Sequence, residues 1–134
     1  MPSRHPLALG LTICEDVVVE APSRDVSLIR SFTGLPVPRF PTIARPFCVF
    51  SALTDGLGTA DILLQVGHFS ESYEEIYRVQ SKLDFSDPVR IVYYVMRLAR
   101  CPLPGAGIYL FTLSSNGFWL AQRSLRVYSG EATP

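Results

Sequence analysis

The chain is 134 residues long, which is room for one domain and not for two independent cores. Its 12 basic and 12 acidic side chains cancel, so no field of one sign gathers polyanions, and nucleic acid is excluded as the expected partner. Hydrophobic residues make up 48% and charged residues only 18%, below the roughly 25% charged usual in soluble domains, so some apolar surface is expected to meet a partner.

Three cysteines, Cys14, Cys48 and Cys101, include no C-x-x-C pair, which argues against a disulfide framework and against a four-thiolate zinc site. A reducing, cytoplasmic setting is the expectation. The apolar run Leu7 to Cys14 is eight residues long, far below the ~20 that span a bilayer, so no membrane span is expected. Of the 12 basic residues, 11 are arginine and only Lys82 is lysine. Arginine suits partly buried pairing, although composition bias explains the same count.

Prolines and glycines punctuate the chain so densely that strands, not helices, fill the spaces between them. Leu7, Leu9, Leu11 and Ile13 alternate with smaller residues in a first strand, which Val17 to Val19 extend past an acidic break at Glu15 and Asp16. Ser27 to Thr33 reads as a second strand, paired with the first as a hairpin through Ala21-Pro22-Ser23-Arg24-Asp25. Leu35 to Pro41 carries three prolines, each without a ladder donor, so it is expected to run outside the sheets as a connection or edge crossover.

Phe47 to Leu53 is apolar on both faces, with Phe47, Val49 and Leu53 on one and Cys48, Phe50 and Ala52 on the other. Asp55-Gly56-Leu57-Gly58 turns the chain into a strand in which Ile62, Leu64 and Val66 alternate against Asp61, Leu63, Gln65 and Gly67. Tyr73 to Leu83 follows as a strand, despite a helical spacing of Tyr73, Ile76, Tyr77 and Gln80. Val89 to Leu98 is again apolar on both faces. Gly107 to Ser114 and Phe118 to Val127 close the chain as a hairpin through Asn116-Gly117, the dipeptide of a type I′ turn.

Seven or eight short strands with turn residues at nearly every junction predict an all-β fold, a single immunoglobulin-like, Greek-key antiparallel β-sandwich over 1–134, with flexible tails at 1–6 and 129–134. Tyr109, four residues after Gly105, has the spacing of a corner tyrosine that bonds to upstream backbone.

Chemistry-bearing patterns are sparse. His5 and His68 are the two histidines, too few and too separated for a metal cage, and no metal or other cofactor is expected. No histidine and carboxylate are placed beside Cys14, Cys48 or Cys101, so structural cysteines are expected and no catalytic residue is named. Adjacent Glu15 and Asp16 point to opposite faces of a strand and cannot act as a pair. If an enzyme site exists, Cys14, Glu15 and His68 are its least remote members.

Around Leu11-Thr12-Ile13-Cys14-Glu15-Asp16-Val17, Phe32-Thr33-Gly34 with its proline-rich loop, Leu53-Thr54-Asp55-Gly56, and Pro104-Gly105 leading to Tyr109, the chain resembles an uncharacterised family of small bacterial sandwich-like proteins. The resemblance spans nearly the whole chain and implies the fold, with no activity or functional residue attached.

Two readings of function remain. The first is a non-enzymatic module that self-associates or docks on a protein, with Phe47, Val49, Phe50, Tyr93, Val95 and Trp119 as contacts. The second is a small-ligand or carbohydrate module with Trp119 as a stacking platform and Gln122 and Arg123 as polar contacts.

Overall fold

The computed structural model describes residues 3–130, and among these every regular element is a strand. Twelve strands follow in order: β1 Leu7–Ala8, β2 Thr12–Val19, β3 Val26–Ser31, β4 Gly34–Val37, β5 Thr42–Ile43, β6 Phe47–Thr54, β7 Gly58–Phe69, β8 Tyr73–Phe85, β9 Val92–Leu98, β10 Pro102–Leu103, β11 Gly107–Ser115 and β12 Phe118–Ser129. They form two five-stranded sheets and one two-stranded ribbon, β5 with β10, in place of the seven or eight strands expected. The extra elements are short pieces that alternation cannot resolve, because a two-residue strand has no period to read.

In sheet 1, Leu53 pairs with Ala8 on one side and Val92 on the other, while Cys48 to Phe50 pair with both β2 and β9. β1 and β2 therefore lie along the same edge of β6, and β9 lies along the opposite one. The register slips by one residue between β1 and β2 at Gly10, whose φ of +93° suits a residue without Cβ. What reads in sequence as one strand from Leu7 to Ile13 is thus two strands joined by a bulge. The second half of β2 continues beyond β6 and pairs with β3, as the hairpin reading expects.

Sheet 2 runs β4-β12-β11-β7-β8. The β7–β8 and β11–β12 pairs are hairpins, and the latter turns on Asn116 and Gly117, both at positive φ (49° and 83°), as a type I′ turn requires. β8 is a strand throughout; its pairing to β7 overrides the helical spacing of its apolar residues. Asp55 to Leu57 does not make a hairpin, since β6 and β7 belong to different sheets.

The proline-rich segment departs from expectation most. Gly34–Val37 is an edge strand parallel to β12, with Leu35 and Val37 buried. Arg126 and Gly130 donate their N–H groups to the carbonyls of Thr33 and Val37 (3.1 and 2.9 Å), so Pro36 is not asked to donate. Arg4 and His5, placed by the sequence in a flexible tail, are tied down: Arg4 exchanges backbone bonds with Leu57, and the His5 ring stacks on Phe118 at 4.1 Å. Ser129 ends β12, whereas 1–2 and 131–134 lie outside the described residues.

One core gathers the inward residues of both large sheets, from Ile13, Val49, Leu53, Met96 and Leu98 to Ile62, Leu64, Phe111, Leu113 and Leu125. Phe47 of β6 meets Phe111 of β11 edge to face at 6.0 Å, and the Tyr94 hydroxyl of β9 bonds to Ser81 of β8, so the sheets face each other. Tyr109 makes the expected corner: its hydroxyl donates to the Gly105 carbonyl at 2.5 Å and accepts from the Gly105 N–H at 3.3 Å. No helix among the described residues is long and apolar enough to cross a membrane.

Candidate functional site

Directly paired residues of an antiparallel ladder share a face, so the registers fix what each sheet shows outward. On sheet 1 the outward rows are Tyr93 beside Ala52, then Val95 beside Phe50 and Thr12, then Arg97 beside Cys48, Cys14 and Ser31; beyond Arg30, whose φ is +51°, the β2–β3 hairpin turns Val17 and Val26 to this side. Tyr93 is 48% exposed, and its ring lies 5.8 Å from that of Phe50. Val17 and Val26 of the β2–β3 hairpin extend the apolar surface by packing against Phe50 and Val95.

On sheet 2 the outward residues of β7 and β8 are largely polar. Gln65 donates to Glu75 at 2.8 Å, Arg78 holds the same carboxylate at 3.1 and 3.2 Å, and Lys82 lies opposite Asp61. This part of the face meets water, whereas at the β7–β8 turn the exposed rings of Phe69 and Tyr73, 5.1 Å apart, stand beside Ile108.

Phe50, Tyr93 and Val95, three of the six contacts expected from sequence, therefore come together on one open face. Phe47 and Val49 do not join them: both are core residues, because the Phe47, Val49, Leu53 side of β6 is the one that turns inward. Trp119 stands apart on the other sheet, 62% exposed beside an equally open Phe118. Gln122 shares the outward side with Trp119, but Arg123 pairs with Phe111, whose ring points into the core, and so leaves β12 on the opposite side. The triad expected to hold a ligand is divided between two faces.

A compact polar cluster sits at the centre of the sheet 1 face. Arg97 donates to Asp16 Oδ1 at 2.6 Å and to the Val17 carbonyl at 3.2 Å, and its Nη1 lies 3.2 Å from Cys48 Sγ. Cys14, Cys48 and Val17 form a second small core beneath it, packed against Val26, Phe50 and Val95. Burial pushes both thiols up from their ordinary range, so each is protonated at neutral pH. Cys101 lies in the main core, where burial pushes its thiol up to about 12.

The hydrogen bond from Arg97 holds the Asp16 carboxyl below its usual range, helped by the Val17 N–H. A carboxyl whose folded pKa is depressed contributes stability above its unfolded value, near 4, and loses it as pH falls through the lower folded value. The Asp16→Asn variant is expected to lose less stability than the native chain on acidification from about pH 4 downward, read from denaturant midpoints across that range.

Glu15 takes different partners from its neighbour Asp16, Arg45 at 3.2 Å and Arg30 at 3.8 Å. His68 is buried against the Tyr109 ring at 4.5 Å, with Nε2 3.0 Å from the Ala106 carbonyl; a carbonyl only accepts, so Nε2 carries the hydrogen. It serves the corner of sheet 2, whereas Cys14 and Glu15 lie on sheet 1, so the three are not assembled into one centre. Among the described residues no group of three or more His, Cys, Asp or Glu could hold a metal ion. A groove of about 580 Å³ between the β2–β3 tip and the β8–β9 connection mixes Arg24 and Arg90 with Asp25, Asp84 and Asp87, and so offers no field of one sign.

The Arg97 cluster escapes sequence reasoning because its members are 81 and 49 residues from one another along the chain. A lone arginine between Met96 and Leu98 was its only signal. Comparison with curated proteins finds no match. A family model described as a family of unknown function, DUF6941, matches residues 9–128, and the chain belongs to that family.

Proposed function

We propose that the chain is a non-enzymatic interaction module that self-associates through the outer face of sheet 1, with a second copy of the chain as its partner. The observation that carries this reading is the apolar row on the outer face of sheet 1, where Tyr93 beside Ala52 and Val95 beside Phe50 continue into Val17 and Val26 of the β2–β3 hairpin. Sheet 2 also exposes Phe69, Tyr73, Ile108 and Trp119, but around the polar Gln65, Glu75, Arg78 and Lys82 network. A half-exposed apolar sheet face is what an interface requires.

A second copy fits because the formal net charge is zero, so two chains meet without long-range repulsion. The charges on the face are already matched within each chain, Arg97 by Asp16. Three strands wide and about six residues deep, the face is roughly 15 by 20 Å, a footprint of about 300 Å². That is well under the ~800 Å² each partner gives to a standard interface, which places it at the weak, transient end.

The same reading takes the two large sheets as an immunoglobulin-like Greek-key sandwich, supported by the parallel edge β4 on the last strand β12, the cross-sheet step from β6 to β7, and the corner at Tyr109. Three free thiols support a reducing, cytoplasmic setting. The ligand reading keeps only the exposed Trp119 and Gln122 on one face, which is why it ranks second.

Light scattering over a concentration series tests the proposal. The native chain is expected to pass from the mass of one chain at low concentration toward twice that mass as concentration rises. A single-chain mass that stays constant up to the solubility limit overturns it.

A further inference from the structure

We infer that Cys14 and Cys48 are a redox-responsive dithiol, a modification site that closes to a cross-strand disulfide by exchange with a low-molecular-weight disulfide. The inference does not depend on self-association. It rests on register, on access and on the cation beside one of the two sulfurs.

Cys14 and Cys48 are direct partners in the β2–β6 ladder, so their side chains leave the sheet on the same face, and they share one small cluster with Val17. The Ile13 carbonyl accepts from the N–H of Phe32, just past the end of β3, so the backbone groups of Cys14, the next residue, point toward β6. Leu9 donates to the Ala52 carbonyl, which aims the even-numbered residues of β6 at β2. The two cysteines thus form a hydrogen-bonded pair, with Cα atoms about 5.5 Å apart, inside the 4.4–6.8 Å that disulfides span.

The Cβ separation of such a pair is about 5.5 Å, whereas a disulfide wants about 3.5–4.5 Å, so closing the bond draws the strands together by about an ångström. A bond formed under that strain is readily reduced, which makes the pair reversible and not a permanent staple.

Both thiols are buried, Cys14 at 0% and Cys48 at 2% exposure, but only Cys48 borders a surface groove. Cys48 lines a groove of about 380 Å³, together with Glu15, Asp16, Pro46 and Arg97. Its cover is the Arg97 side chain, which is 62% exposed, with its guanidinium 3.2 Å from Cys48 Sγ. Cys14 is wholly buried behind it. Burial holds both thiols protonated, and the Arg97 charge opposes that effect at both, with its guanidinium directly against the Cys48 sulfur. Cys48 is therefore the attacking sulfur and Cys14 the resolving one.

The chemistry balances in two exchanges. Cys48, losing its proton, attacks one sulfur of the small disulfide; a Cys48 mixed disulfide forms and one small thiolate leaves, taking up that proton. Cys14, losing its proton, attacks Cys48 Sγ; the Cys14–Cys48 bond forms and the second small thiolate leaves as a thiol. Two protein thiols are oxidised and one small disulfide is reduced to two thiols.

The folded full-length chain is incubated in oxidised and reduced glutathione at a series of ratios, quenched with acid, alkylated and mapped by peptide mass spectrometry. The oxidised chain is expected to lose two hydrogen atoms from its intact mass, yield one Cys14–Cys48 linked peptide, and keep Cys101 alkylated. Excess reduced glutathione restores three alkylatable thiols. Cys14→Ser is expected to retain one glutathione on Cys48, and Cys48→Ser to leave Cys14 unmodified. The inference is overturned if the native chain keeps both thiols at ratios that modify the denatured chain. It is equally overturned if Cys14→Ser gains no glutathione at Cys48, or if the bond formed involves Cys101 or a second chain.

Discussion

Replacing Phe111 by alanine is expected to cost about 3–5 kcal/mol and to lower the melting temperature by roughly 10–20 °C. Phe111 is 1% exposed on β11, the middle strand of sheet 2, which is held on one side by β7 and on the other by β12. Its ring is the direct contact to Phe47 across the core. Removing it deletes transferred apolar surface and leaves a cavity, and a strand bonded along both edges cannot move in to fill that cavity. Set against a usual total of about 5–15 kcal/mol, the loss takes a large share of the stability. Phe118, the same residue type but 59% exposed, is the control: its truncation is expected to change stability by about 0.5 kcal/mol or less. Urea unfolding of both variants makes the measurement, and equal costs at the two positions contradict the face-to-face packing of the sheets.

Tyr109→Phe is the next largest effect, about 1–3 kcal/mol, although it removes a single oxygen. The hydroxyl is the only polar part of a fully buried side chain, and it satisfies both the carbonyl and the N–H of Gly105. Its loss leaves two half-buried backbone groups of Gly105 without that partner at the entry to β11, and an unsatisfied group shielded from water costs more than the net worth of the bond it made. Burial also raises the phenol above its ordinary pKa. Tyr93→Phe, which removes a hydroxyl from a half-exposed ring, is expected to be nearly neutral by comparison. If the two phenylalanine variants unfold at the same denaturant concentration, the corner carries no stability.

These two positions also show what the sequence makes legible. The alternation of Ile62, Leu64 and Val66, the Asn116-Gly117 turn and the Gly105 to Tyr109 spacing are local signals, and local geometry honours each of them. Periodicity sorts Phe47, Val49 and Leu53 from Cys48, Phe50 and Ala52 without saying which set turns inward. That choice is made by the sheet packed opposite, which is why sequence alone groups Phe47 and Val49 with an interface they cannot reach. Leu35-Pro36-Val37 reads as a loop because proline lacks a donor, yet a parallel edge strand needs few donors when its neighbour supplies them. The Cys14 and Cys48 partnership, and the reach of Arg97 to Asp16, depend on register between distant strands, and no local pattern encodes that register.

The central claim is a location: association through the outer face of sheet 1. Its most direct test is the solution mass of Tyr93→Asp beside that of Trp119→Asp, each at the highest concentration at which the native chain associates and each confirmed as folded by circular dichroism. Both replace an exposed aromatic by a charge, on opposite sheets. Tyr93→Asp is expected to remain a single chain while Trp119→Asp associates like the native protein. The reverse outcome, or undiminished association in Tyr93→Asp, contradicts the account.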